Sequence, residues 1–220
     1  MIKIENVEVV GWEHAIRGMR NPLNSWDKSD SFWQAELKTE DMQEFPISPE
    51  YIVGRKDLDL MKRLVSAGTD HRKFMRMIVV YVDVTAPLYW FKEMDTYKVG
   101  TVRNSCSTMH TITQKEFTLD DFSTEYLKGN CYSHSLFCEI INALNFHRNL
   151  YLETKDKYYW WQIIQILPSS YNQRATLMLN YEVLANIYHS RKNHKLDCWR
   201  TFCEWIETLP YAKELICGVD

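Results

Sequence analysis

MIVVYVDVTAPLYWFKEMDTYKVGTVRNSCSTMH, Met77 to His110, is the stretch whose reading decides the fold. Its first part, Met77 to Pro87, is rich in β-branched residues and predicts a buried strand. Polar groups crowd the part that follows. Thr96, Tyr97, Lys98, Thr101, Arg103, Asn104, Ser105 and Ser107 can all hydrogen bond, and Gly100 permits close backbone approach. Such a segment suits a phosphate or a base edge; as plain structure it is a polar turn followed by an exposed strand. Glu93 and Asp95, two residues apart near a strand end, fall on one face and form a candidate proton-transfer pair.

Upstream, IKIENVEVVGW alternates apolar and polar residues and predicts a strand. Glu13 to Arg20 predicts a short helix. Arg20 to Ser31 (RNPLNSWDKSDS) is a loop rich in turn formers, and loops of that length in compact domains commonly carry function. Within it, Trp26 is either a stacking platform for a flat ring or a plug beneath the loop. Leu58, Leu60, Met61, Leu64 and Val65 predict a helix over Lys56 to Ala67, stopped by Gly68.

Downstream, Leu119 to Leu127, Asn130 to Arg148 and Lys155 to Leu167 predict helices, the last ended by Pro168. Arg174 to His194 and Leu196 to Leu209 predict two more, broken around Asn193. Strands come early and helices late. The expectation is a single domain over residues 1–220, strand-rich over 1–115 and helical over 116–220. Its class is α+β, a mixed or antiparallel sheet covered by helices.

The formal net charge of −3 gives no electrostatic push toward nucleic acid or an anionic membrane. No apolar run reaches the length of a membrane span, and MIKIENVEVV lacks signal-peptide architecture. The expected location is the cytoplasm, with the six Cys as reduced thiols. Eight Trp and thirteen Tyr, with YYWW at Tyr158 to Trp161, predict ring-rich helix packing or an oligomer interface.

Cys131, His134 and Cys138 share one helical face, and His147 or a water would be the fourth zinc ligand. Structural zinc sites usually draw on two short-spaced knuckles, which this chain lacks, so buried free thiols rather than a metal are expected. His189, His194 and Cys198 suggest a thiol–imidazole pair only if one helix runs unbroken past Asn193. The run HSRKNHK, with Arg191, Lys192, Lys195 and then Arg200, is either a solvated helix end or an anion site centred on Arg191 and Arg200.

Pro87 to His110 resembles the signature segment of the flavin-dependent thymidylate synthases, the ThyX family. That family writes an apolar strand, a Pro, and then R-H-R, seven residues and a Ser. Counted from Pro87, Asp95, Thr96 and Tyr97 stand where R-H-R stands, and Ser105 falls on the motif Ser. The likeness of element order extends over residues 50–210. It takes in DLDLMKRLVSAG, the helix WWQIIQILP, the Asn-bearing NYEVLANIYHSR from Asn180 to Arg191, and KLDCWR ending at Arg200.

The resemblance implies an α+β fold and a homotetramer with FAD and dUMP at subunit boundaries. It also implies methylene transfer from methylenetetrahydrofolate to C5 of dUMP, with reduced flavin as hydride source. Thr96, Tyr97, Lys98 and Asn180 then fall at the cofactor, Arg103, Arg191 and Arg200 at the nucleotide phosphate, and Ser105 beside the pyrimidine as the catalytic position. Thr and Tyr lack the forked donors by which Arg grips phosphate, and Asp95 brings a negative charge; Lys98 and Arg103 are the replacement cations. Two functions follow. One is a divergent flavin enzyme acting on a pyrimidine deoxynucleotide. The other is a non-catalytic ligand-binding or interaction module that kept the scaffold.

Overall fold

The computed structural model describes residues 2–34 and 50–218. Strand β1 (Lys3–Val10) leads through Gly11 into helix α1 (Trp12–Arg20). Strands β2 (Phe32–Trp33) and β3 (Tyr51–Ile52) pair antiparallel as a small second sheet. After α2 (Arg55–Ser66) come β4 (Val79–Pro87), α3 (Leu88–Met94) and β5 (Val102–Ser105). The short α4 (Thr108–Thr111) precedes a helical hairpin of α5 (Cys131–Thr154) and α6 (Lys157–Ile166), then β6 (Asn172–Asn180), α7 (Tyr181–Arg191) and α8 (Asp197–Glu207).

The main sheet is antiparallel throughout, in the order β1-β4-β6-β5. Period-two patterning explains its one-sided packing. Val80, Val82, Val84 and Ala86 of β4, with Ala175, Leu177 and Leu179 of β6, are buried, whereas Tyr81, Arg174 and Thr176 are exposed. Helices therefore cover one face. Sixteen residues contribute to it from α1, α3, α7 and α8 alone, with Trp90, Trp199 and Phe202 fully buried where α3 meets α8. A second core, holding Phe122, Phe137, Ile141, Leu144 and Ile163, lies under the α5–α6 hairpin.

Three expectations are corrected. Arg174 to His194 is not one helix: Gln173, Ala175, Leu177 and Leu179 alternate as β6, and the helix starts only at Tyr181. The change is made at Asn180, whose side-chain oxygen accepts the Val183 N–H at 2.9 Å as an N-cap. A central strand thus lies inside the half expected to be helical. Leu119 to Leu127 forms a single 3₁₀ turn, Leu119–Asp121; Phe122 then bridges to Tyr171. The segment after Pro87 is helix α3, so Glu93 and Asp95 lie on different faces and serve different arginines.

Candidate functional site

The site begins at the end of α3. Thr96, which is exposed, donates its hydroxyl to the Glu93 carbonyl at 2.7 Å and closes the helix end. The chain then turns through Gly100 at φ +70°, where an added Cβ would stand 2.5 Å from the Asn180 amide nitrogen. Asn180 Nδ2 donates to the Gly100 carbonyl at 3.4 Å, so one side chain caps α7 and pins this turn.

β5 follows along the sheet edge. Arg103 lies opposite Leu177 and Ser105 opposite Ala175, which puts both on the packed side of the sheet. Arg103 NH2 meets Asp95 Oδ2 at 3.2 Å, and its guanidinium stands 4.9 Å from the centre of the Phe91 ring. Beside it is a cavity of about 280 Å³, floored by Met94 and Leu177 and walled by Asp95, Tyr97, Lys98, Thr101 and Arg103. Two polar atoms of that wall, Arg103 NH1 and Thr101 Oγ1, are buried without a hydrogen-bond partner among the described residues. Lys98 is exposed and pairs with none of the described residues.

Arg191 and Arg200 do not line this cavity. Arg191 NH1 donates to Glu93 Oε2 at 2.7 Å and its Nε to the Tyr97 hydroxyl at 2.9 Å. Arg200 pairs with Asp197 and donates to the His194 carbonyl at 2.8 Å. Each of these arginines thus carries a carboxylate of its own. Ser105 is half-buried on β5 and stands beyond the cavity wall.

The remaining candidates are placed as follows. Trp26 is half-exposed, its indole N–H donating to Asn21 Oδ1 at 2.8 Å, so it does not plug the core. Cys138 Sγ lies 3.7 Å from His134 Nδ1 and Cys131 is exposed, which corrects the expectation of buried thiols there. Among the described residues no group of three or more His, Cys, Asp or Glu is placed to hold a metal. His194 and Cys198 are not on one helix, because α8 begins at Asp197. Sequence reasoning passed over the pair Arg20–Asp57, which fastens the 21–31 loop to α2; partners 37 positions apart leave no local periodic signal.

Two solved structures are similar over the whole chain. Both are the flavin-dependent thymidylate synthase ThyX from Helicobacter pylori with FAD and dUMP. One matches at TM-score 0.66 and the other at 0.68, each at 15% identity. The matches cover 98% of this chain and 99% and 97% of the two structures. The fold is ThyX-like. No family model matches the sequence, and no curated protein does. No helix among the described residues is long and apolar enough to cross a membrane.

Proposed function

We propose that this ThyX-like domain, spanning residues 1–220, binds a pyrimidine deoxynucleotide of the dUMP kind, with its phosphate in the cavity between α3 and β5. The observation that carries this reading is the pair of buried, unpartnered donors, Arg103 NH1 and Thr101 Oγ1, beside an uncommitted Lys98. Buried donors are ordinarily satisfied, and a phosphate oxygen satisfies both while Lys98 adds a full positive charge. The cavity is at the small end of ligand sites, which begin near about 300 Å³. Nucleotide and FAD in the ThyX structures of the same fold support the ligand class.

A flavin fits less well. Thr96 serves the α3 carboxyl end, the Tyr97 hydroxyl serves Arg191, and Asn180 caps α7. Of the four cofactor candidates only Lys98 stays uncommitted within one chain. Ser105, beyond the cavity wall on the packed side of β5, is left without a chemical role in this reading. The second reading, a binding module without turnover, is favoured by the two acids that neutralise the arginines, Asp95 on Arg103 and Glu93 on Arg191.

In this reading the protein works in the cytoplasm as a homo-oligomer, the tetramer of the resemblance. Tyr132, Leu136, Phe146 and Trp161 on α5 and α6 are exposed and supply an apolar surface for it. Titration with dUMP and FAD, singly and together, followed by absorbance and thermal shift, tests the function. Stabilisation by dUMP that disappears in the Lys98→Ala, Arg103→Ala double variant is expected. Unchanged dUMP binding in that variant sinks the phosphate assignment.

A further inference from the structure

We propose that Glu93 occupies, from within the chain, an anion site built by Arg191, Trp199 and His194, and that a phosphate-bearing ligand enters that site by displacing it. The inference rests on the nucleotide reading above and adds a regulation to it.

One carboxylate oxygen of Glu93 is the meeting point of three elements. Oε2 accepts from Arg191 NH1 of α7 at 2.7 Å and from the Trp199 indole N–H of α8 at 2.9 Å. His194 Nε2, in the turn between those helices, stands 3.6 Å away. The arginine is held in place independently of Glu93. Its Nε is engaged by the Tyr97 hydroxyl, and its guanidinium carbon lies 4.8 Å from the centre of the Trp199 ring and 5.7 Å from that of Tyr97. A fixed guanidinium with a second N–H donor converging on one point is what a phosphate oxygen requires.

Exposure says which partner can leave. The Glu93 side chain is 33% exposed and that of Arg191 18%, so the acid is the outer partner. Tyr97 also walls the cavity that holds Lys98 and Arg103, so the two places adjoin. A pair that served only to tie α3 to α7 would weaken when neutralised and show no new affinity for anions.

Inorganic phosphate is the probe, titrated at constant ionic strength into the full chain and its Glu93→Gln variant, with thermal shift and tryptophan fluorescence as readouts. The variant is expected to bind phosphate about tenfold more tightly, the size of effect of losing one competing charge contact. Adding Arg191→Gln should abolish the gain. If Glu93→Gln does not fold, Glu93→Asp keeps the charge but shortens its reach, and a smaller gain is expected. A folded variant with wild-type phosphate affinity overturns the inference. If dUMP still binds in a Lys98- and Arg103-dependent way, the nucleotide reading survives that result. A phosphate gain without dUMP binding by either protein supports the Glu93 site and removes the nucleotide reading.

Discussion

Arg20 and Asp57 form a buried ion pair at 2.6 Å, with side-chain exposures of 5% and 0%. Around it the polar groups are used fully. Asp57 Oδ2 accepts from the hydroxyls of Ser29 and Ser31, both at 2.7 Å, and from the main-chain N–H groups of Asp30 and Ser31. Arg20 donates to the carbonyls of Ser25 and Lys28. The loop is thus fastened to α2 from both ends. Asp57→Ala would leave the guanidinium buried without a carboxylate, which costs about 3–5 kcal/mol. The check is the urea midpoint of the variant, and a loss below about 1 kcal/mol contradicts a buried, unrelieved charge.

Acid should weaken the fold through two carboxylates. Burial pushes Asp57 up, but hydrogen bonds from Ser31 and Ser29 and the Arg20 charge outweigh it and hold its pKa below the ordinary value. Asp83, on the open sheet face, is held down to about 2 by hydrogen bonds from Thr176, Asn6 and Arg174. A lowered folded-state pKa stabilises above the unfolded value, near about 4 for Asp, and that contribution is lost as pH falls through the folded one. Stability should therefore drop between about pH 4 and pH 2. Asp83→Asn should be less stable than wild type at pH 7, and the gap should close toward pH 2; a gap that stays constant contradicts the assignment.

Asn180 separates strand from helix, so its removal should register as stability. Asn180→Ala loses the cap of α7, worth about 1 kcal/mol, along with the contact to Gly100. Asn180→Ser keeps a capping oxygen and should recover much of that loss, whatever happens to ligand binding. Chemical denaturation of the two variants compares them directly.

Gly100 gives a second test of the same corner. Ala at φ +70° is strained, and its Cβ would press on the Asn180 amide, so Gly100→Ala should cost about 1–2 kcal/mol and weaken dUMP binding together. Loss of stability with unchanged nucleotide affinity would separate the turn from the site.

The apolar surface of α5 and α6 can be tested by mass in solution. Phe146→Glu with Trp161→Glu should convert an oligomer to a smaller species in light scattering while thermal unfolding of the chain stays near wild type. An unchanged mass moves the interface elsewhere.

Much of this fold is legible where burial imposes a period. VVYVDVTAP declares a strand, and the apolar spacing of DLDLMKRLVS declares a helix, which the structure places at Arg55–Ser66. ATLMLN is harder, because Ala, Leu and Met favour helices; only pairing with β4 and β5 makes it the inner strand. Asn180 was the available signal, a capping residue that belongs at a helix start. The site is legible in part. Lys98 and Arg103 meet at one cavity as their shared segment suggests, whereas Arg191 and Arg200 each find an acid that spacing does not reveal.

β1 lies at the sheet margin, and its ladder to β4 slips between Glu5 and Glu8, with Asn6 at φ +51°. That irregularity breaks the even row of free N–H and C=O groups that a foreign strand would need to dock. Straightening it, as Asn6→Val would tend to do, should give a protein that folds yet precipitates sooner at high concentration. The kink costs the strand some regularity and keeps neighbouring molecules from zipping onto it.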